Sequence, residues 1–418
     1  PDAALAGKIE GGKPIAFLPA NKTVEDGEEL DVLGVKMQFF TEFTSDDYNL
    51  TVWIPEKGVV MNNFFWPGTP NLYTLRGGDY RDPLIWRDGL KLIRDLQPEV
   101  LASTHTRAIV GKDEVEKRLT GYMDRISLTY DQTLRGILAG LSLGDLRNAV
   151  YIPPHLKEIP ENAESYGETV HFPEAIYQYA IGWFDGDVTK LFSVAPKDEA
   201  ARLVELMGGK AKVVAAARAA LEAKEFAWGA QLIQYVYLLD PADKEVRQLK
   251  ADLLRQMAIR STGSIARAFL MSEARALEGK ESIPRLIPPT PEVIAQSPAS
   301  FVDYFRVRID PKKAQDIDEV LAFVFTDQGN QAVAMHVRRG VAEYIPVPAD
   351  YYREPDFVVE LESETWSALY LSSTDLKKAG TEGKIKLTKG DPAEFAGVFD
   401  LFDKFVPTRN YKIPPLED

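Results

Sequence analysis

Two arginines, Arg76 and Arg81, stand in a glycine-rich turn, NNFFWPGTPNLYTLRGGDYRDP (62–83), beside Asn71, Tyr73 and Tyr80. A guanidinium offers a planar fork of N–H donors that matches the oxygens of a tetrahedral oxyanion such as sulfate or phosphate. The same arginines could instead pair with Asp79 or Asp82 and hold the turn together, and the residues leave both readings open. His105 follows the apolar run EVLAS (99–103), within Thr104-His105-Thr106 and upstream of Gly111. Strand ends in α/β sandwiches are where ligands gather, although a lone histidine is more often structural than a ligand. TEFTSDD (41–47) collects Glu42, Asp46 and Asp47, where a carboxylate could reach a metal or simply form a turn. The chain has four histidines, His105, His155, His171 and His336. No two have the spacing of an HxH or HExxH metal motif, and no P-loop occurs.

These residues must be positioned by regular elements. VKMQFF (35–40), NLTVWIP (49–55) and GVVMNNFF (58–65) read as strands, with a hairpin turn at Pro55-Glu56-Lys57-Gly58. PLIWRDGLKLIRDL (83–96) has apolar residues at helical spacing with Pro83 in its first turn. Pro98 then opens the strand that ends at His105. The β–β–α–β order predicts half of an α/β sandwich. Residues 112–280 change to helical periodicity in EVEKRLTGYMDRISLTYDQTLRGILAG, DEAARLVELMG, KVVAAARAALEAKEFAWGAQLIQYVYLL and DKEVRQLKADLLRQMAIRS. The alanine-rich pattern broken at Asp240-Pro241 looks similar to tetratricopeptide helix pairs, and a scaffold or dimerisation role follows from it. PRLIPPTPEVIAQSP (284–298) carries five prolines and reads as a linker. Beyond it, YFRVRID, VLAFVFTD, QAVAMHVRRG, AEYIPV, DFVVELES and KIKLTKGD predict strands. PKKAQDID, SETWSALYLS and DPAEFAGVFDLFDKF predict short helices. This predicts a separate α+β domain. The divisions expected are 1–115, 116–282, the linker 283–298 and 299–418.

Composition narrows the function. The 418 residues exceed one ordinary domain. Net charge is −14 with no basic cluster, which argues against nucleic-acid binding. No run approaches 18 apolar residues, so no helical membrane span is expected. The absence of cysteine rules out disulfides, thiolate metal sites and thiol nucleophiles. The compartment is left open: cytoplasmic, or periplasmic or secreted if a signal peptide lies upstream. The start, PDAALAGKIEGG, has no initiator Met and reads like a chain that begins partway through something larger.

NLTVWIPEKGVVMNN, NLYTLRGGDYRDP (71–83) and LASTHTRAIVG (101–111) resemble the alkyl sulfatase branch of the metallo-β-lactamase superfamily. YDQTLR (130–135), ESYGE (164–168), IGWFDGD (181–187), ELMGG (205–209) and LKADLLRQ (249–256) are similar to markers of that branch's helical dimerisation domain. Residues 299–418 fit its sterol-carrier-like domain. The fold class so implied is a multidomain α/β + α + α+β chain that opens with the C-terminal half of an αββα sandwich. The resemblance implies a binuclear zinc hydrolase in which a metal-bound hydroxide cleaves the sulfate ester of an alkyl chain. It also implies a homodimer, an amphiphilic sulfate-ester substrate, and an upstream segment with an HxHxDH motif. Position by position, it puts His105 at the last histidine ligand, Arg76 at the sulfate contact, Arg81 near the acid or sulfate-orienting position, and Tyr166 on a Tyr-Gly element. Asn71 and Tyr73 join the substrate side. The family's GTE turn reads TSDD here, so Asp46 or Asp47 must stand in as ligand. The bridging carboxylate position reads Asn62-Asn63, and Ala163 or Glu164 replaces an expected arginine. These departures carry an alternative: a non-catalytic or altered-substrate relative that binds amphiphiles and dimerises.

Overall fold

The apolar residues of VKMQFF, TVWI and VVMN alternate or run continuously over short spans, which suits half-buried and buried strands. In a computed structural model of the protein they form strands of one sheet. The structure describes residues 20–45, 49–63, 65–77, 80–283, 289–406 and 413–414. The chain divides into two units, Pro1–Glu281 and Ser282–Asp418.

In the first unit, β1 (Glu29–Val32), β2 (Val35–Phe40), β3 (Thr51–Ile54), β4 (Val59–Asn62), β5 (Val100–Ser103) and β6 (Ile109–Val110) lie side by side in sequence order. Neighbours are antiparallel except β4 and β5, which are parallel. A parallel pair needs a crossover, and helix α1 (Pro83–Asp95) supplies it. Asp82 caps α1 by accepting from the Leu84 and Ile85 amides, at 2.8 and 3.4 Å, with Pro83 in the first turn. The turn expected at residues 55–58 is a single 3-10 turn closed by Gly58, whose φ of +60° suits glycine. Strands β1 and β6 were not foreseen; both are short, β1 is largely exposed, and β6 buries Ile109 while exposing Val110.

Helix α2 (Lys112–Leu138) follows. Its Val115, Leu119, Tyr122, Met123 and Ile126 share one core with Val60 and Leu101 of the sheet and Trp86, Leu90 and Ile93 of α1. Each such side chain contributes roughly 1.5–3 kcal/mol on burial. The boundary expected at 115/116 therefore has no counterpart in the packing, because the apolar face of α2 belongs to the core of the sheet.

Helices α3 (Phe172–Ala180), α4 (Pro196–Leu206), α5 (Lys210–Glu222), α6 (Phe226–Leu239), α7 (Lys244–Arg260) and α8 (Ser264–Leu277) complete the unit. The periodic run 212–239 is two helices, broken where Lys224 takes a φ of +65°. Helix α8 was not foreseen. Its C-terminal carbonyls are satisfied from α7 by Arg247, which is 1% exposed. This side chain donates to the Leu277, Ala276 and Pro241 carbonyls at 2.7, 3.0 and 3.0 Å.

The second unit has strands β7 (Asp318–Phe325), β8 (Gln331–Arg338), β9 (Val341–Ile345), β10 (Phe357–Leu361) and β11 (Ile385–Lys389), in the order β11-β10-β7-β8-β9. β7 and β10 are parallel and the other neighbours antiparallel. Helices α9 (Pro291–Gln296), α10 (Pro298–Phe305), α11 (Ser363–Tyr370), α12 (Leu376–Thr381) and α13 (Pro392–Phe399) accompany the sheet. The core joins Phe301, Phe305, Phe323, Phe325, Trp366 and Phe395.

Three expectations change here. Within the supposed linker, residues 284–288 lie outside the described residues, but Pro291 and Pro298 begin helices and Ile294 is fully buried. Proline's fixed φ suits a first helical turn as well as a linker. YFRVRID is the end of α10 and a 3-10 turn, with only an isolated bridge from Ile309 to Phe402. PKKAQDID is a series of turns leading into β7. His336 is buried on β8, with Tyr351 and Asp318 on its two ring nitrogens at 2.8 and 2.7 Å.

Arg247→Ala removes the side-chain donor from three carbonyls, of which Ala276 keeps the Gly279 amide. We expect a loss of about 2–3 kcal/mol, read as a lowered thermal midpoint of unfolding; a midpoint within 1 °C of the parent, on the order of experimental error, would contradict the capping role.

Candidate anion-binding site

The parallel strands β4 and β5 end together. Asn62 is in register with Ser103, and the Thr104 amide donates to the Asn62 carbonyl at 3.1 Å. The chain leaves these ends into two loops. Ser103 Oγ donates to the Phe65 carbonyl at 2.6 Å and so fixes the start of the loop after β4. Trp66 follows, and its ring lies flat against the His105 imidazole, with centroids 3.7 Å apart and planes 12° from parallel. Trp66 also stacks with Tyr166, at 5.5 Å and 17°. The Tyr166 hydroxyl accepts from Arg76 Nη2 at 2.5 Å, and the Arg76 guanidinium stands 5.7 Å from that ring's centre.

His105, Arg76 and Tyr166, far apart in sequence, are thus joined through Trp66, which sequence reasoning missed. Its adjacency to Pro67-Gly68 in an aromatic run was the available signal. Arg76 is exposed, and its Nε also reaches Thr74 Oγ1 at 3.3 Å. Arg81 donates through Nη1 to the carbonyl of buried Asn71 at 3.1 Å. Tyr73 is exposed in the same turn. Asp82 serves as the cap of α1, while Asp79 lies outside the described residues. Tyr80 stacks on Tyr179 at 3.7 Å, and burial pushes its hydroxyl pKa up.

Close backbone fit holds these loops. The Thr69 amide donates to the Ala163 carbonyl at 2.7 Å. A Cβ on Gly68 would come within 2.7 Å of Ser165 Oγ, and one on Gly167 within 2.5 Å of Asn71 Oδ1. Arg125 of α2, 3% exposed, binds both loops: Nε donates to Thr69 Oγ1 at 3.1 Å, and Nη2 to Thr169 Oγ1 and, at 3.3 Å, to Glu164. Burial lowers the pKa of this guanidinium and the Glu164 carboxylate opposes the shift. Glu164, at a position where an arginine was expected, thus faces the buried cation. Arg125 was also missed; an arginine three residues after Tyr122 and next to Ile126, on the apolar stripe of an amphipathic helix, was its signal.

The metal expectation fits less well. Asp46 lies outside the described residues. Asn62 is buried and donates through Nδ2 to Thr51 Oγ1 at 2.7 Å. Among the described residues no three His, Cys, Asp or Glu side chains gather where they could hold a metal. His105 beside neutral asparagines does not make a zinc site on its own.

Two recesses lie in the same unit. One, of about 750 Å³, is lined by Thr41, Glu42, Asn49, Met61, Asn62, Asn63 and Thr104 at the end of the sheet. The other, about 950 Å³, includes Leu75, Phe226, Trp228, Met257 and Leu270, with Glu168, His171 and Arg260 among its polar groups. Leu75, the chain neighbour of Arg76, is thus part of the lining of this second recess.

Gly167→Ala forces its Cβ against Asn71 and Phe172, whose ring carbon lies 3.0 Å away. We expect a cost of about 1–3 kcal/mol, seen as a lower unfolding midpoint. An unchanged midpoint would show that the two loops can separate freely.

Comparison with known proteins agrees with this geometry. The family model "Alkyl sulfatase dimerisation" matches residues 143–280, and "Alkyl sulfatase C-terminal" matches residues 289–413. A linear primary-alkylsulfatase of Pseudomonas sp. is 33% identical over 402 residues, covering 93% of this chain and 75% of that protein. An (R)-specific secondary-alkylsulfatase of Pseudomonas sp. is 28% identical over 96% of this chain and 59% of its own length. The solved stereoselective inverting sec-alkylsulfatase Pisa1 of Pseudomonas sp. superposes with a TM-score of 0.76 at 26% identity, covering 93% of this chain and 62% of that one. The chain thus spans between about six-tenths and three-quarters of these relatives. With two family models and a 33% identical relative aligned over nearly its whole length, this chain belongs to the alkyl sulfatase family.

Proposed function

We propose that the protein takes part in hydrolysis of alkyl sulfate esters, converting ester and water to the alcohol and sulfate. The observation that carries this reading is Arg76, exposed and held by Tyr166 at one end of a cationic and aromatic stack, with the apolar cleft beginning at the adjoining Leu75. Sulfate is a weakly basic anion with several acceptor oxygens, and an exposed guanidinium can bind two of them at once. The alkyl chain would lie along Leu75, Phe226, Trp228 and Leu270, where burial contributes roughly 0.8 kcal/mol per methylene. Arg81, through its bond to the Asn71 carbonyl, would fix the turn that presents Arg76 and orient the sulfate from that side. Tyr73 would border the entrance. The relatives' names give the reaction; these residues give the recognition.

Zinc belongs to the proposal through family membership. His105 is the ligand in hand, and further ligands would have to come from outside the described residues, such as Asp46 or an HxHxDH segment. When bound, zinc would act as a Lewis acid and activate water. The residues present account for binding and orientation of the ester.

The test is hydrolysis and binding of octyl sulfate, followed with zinc supplied and with a chelator. We expect Arg76→Ala to raise KM or the dissociation constant by roughly 10- to 100-fold, the scale of one lost hydrogen-bonded charge, and chelator to abolish turnover. Binding without turnover at any zinc level would overturn the hydrolase reading. Unchanged affinity in Arg76→Ala would overturn the sulfate assignment.

We also propose a homodimer through the segment after α3, within the region matched by the dimerisation model. It exposes Ile181, Trp183, Val188, Leu191 and Phe192, with Trp183 at 72% and Phe192 at 93%. Clustered exposed apolar side chains of this size mark association surfaces. Sedimentation at micromolar concentration should give a dimer, and Trp183→Ala/Phe192→Ala a monomer; an unaltered dimer in the double variant would place the interface elsewhere.

A further inference from the structure

Tyr166 sits on an irregular stretch between a 3-10 turn (Pro160–Asn162) and another (Thr169–His171). Nothing in the local sequence makes that stretch rigid, yet its ring must lie against Trp66 and its hydroxyl must meet Arg76. Its support comes from the turn between α7 and α8. The Ser264 amide donates to the Ser165 carbonyl at 3.1 Å, and the Ile265 amide to the Tyr166 carbonyl at 3.4 Å. Both donors are first-turn amides of α8 that have no partner within the helix. The carbonyls on either side of the Tyr166 peptide are therefore held by a helix start nearly a hundred residues away in sequence.

Glu168 closes this junction from the other direction. Its carboxylate accepts from Ser261 Oγ at 3.0 Å, and from the Thr262 amide and hydroxyl, both at 3.3 Å. His171 Nε2 is 3.8 Å from the same carboxylate. Gly263 is buried, and a Cβ there would stand 2.7 Å from Glu168 Cγ, so the turn lies flush against this side chain. Three donors converge on one carboxylate that is largely shielded from water, at 15% side-chain exposure. Removing it would take away the acceptor that Ser261 and Thr262 share and loosen the register in which the α8 amides meet residues 165 and 166.

We infer that Glu168 is a positioning residue: it clamps the α7–α8 turn onto the 165–168 stretch and thereby holds Tyr166 where Arg76 meets it. The inference rests on the reading of Arg76 and Tyr166 as the sulfate side of the site. Glu168 acts through Tyr166 and need not touch the ester. It also makes sulfate affinity depend on a helix pair that carries none of the anion-binding side chains. Glutamine keeps one acceptor and the same shape, and the hydroxyls of Ser261 and Thr262 can rotate to accept from its amide. Glu168→Gln is therefore the conservative variant and Glu168→Ala the disruptive one.

Two measurements on the full chain test this. Hydrogen–deuterium exchange of peptides covering 163–169 should rise in Glu168→Ala, stay near the parent in Glu168→Gln, and leave α2 unchanged. If Glu168→Ala unfolds the protein, Ser261→Ala removes a single donor and should give a smaller rise at the same peptides. Octyl sulfate affinity, measured in Tyr166→Phe, Glu168→Ala and the double variant, forms a cycle. Each single change should weaken binding by about fivefold, and the double variant no more than Tyr166→Phe alone, because coupled residues are not additive. Unchanged exchange at 163–169, or a double variant that loses the product of both single effects, would overturn the inference. If Tyr166→Phe binds like the parent, the sulfate reading fails instead, and the exchange result alone decides whether Glu168 positions Tyr166.

Discussion

Two irregular loops, 65–71 and 161–169, meet with no room for a side chain between their backbones, and the site depends on that fit. Gly68 lies against Ser165 and Gly167 against Asn71, at separations a Cβ would not allow. The Thr69 amide and the Ala163 carbonyl bond across the seam. Behind it lies Arg125, a buried cation whose desolvation costs several kcal/mol unless its donors are used. Thr69, Thr169 and Glu164 take up Nε and Nη2, while Nη1 is buried with no hydrogen-bond partner. The guanidinium therefore stabilises the seam only while both loops are present, which couples them.

From this seam the rest follows. The first loop brings Trp66 off the end of β4, and the turn that follows it carries Arg76. The second brings Tyr166 from the helical side. His105 comes off the end of β5, the strand parallel to β4, so its ring can reach Trp66 without a long excursion. Sheet ends and helix start thus each contribute one wall, and the flexible-looking residues are held from both sides. Binding groups placed on loops over a rigid scaffold are a common arrangement; here the scaffold includes the first turn of α8.

The polarity of the site is as informative as its geometry. Arg76 is exposed and Leu75 opens onto a cleft with Phe226 and Trp228. On the function proposed above, a guanidinium beside an apolar recess would suit a molecule with an anionic head and a hydrocarbon tail.

The strands β2 to β5 and helices α1, α2 and α7 were legible in the sequence because period and punctuation agree: alternation for strands, 3.6-residue spacing for helices, proline and Asp82 at helix starts. Arg76 and His105 were legible as candidates because guanidinium and imidazole suit few tasks. Family membership was legible in YTLRG and IGWFDGD. Helix α8, the two helices in the proline-rich stretch and the absence of strand at 304–310 were not, since proline and short apolar runs fit more than one local structure. Trp66, Arg125 and Glu168 stayed invisible for a different reason. The partners that place them in the site lie between 39 and 100 residues away in the chain, and no local pattern encodes which distant backbone will come near. The sequence by itself determined the chemistry on offer; only the tertiary structure decided which groups meet, because burial and hydrogen bonding act between neighbours in space.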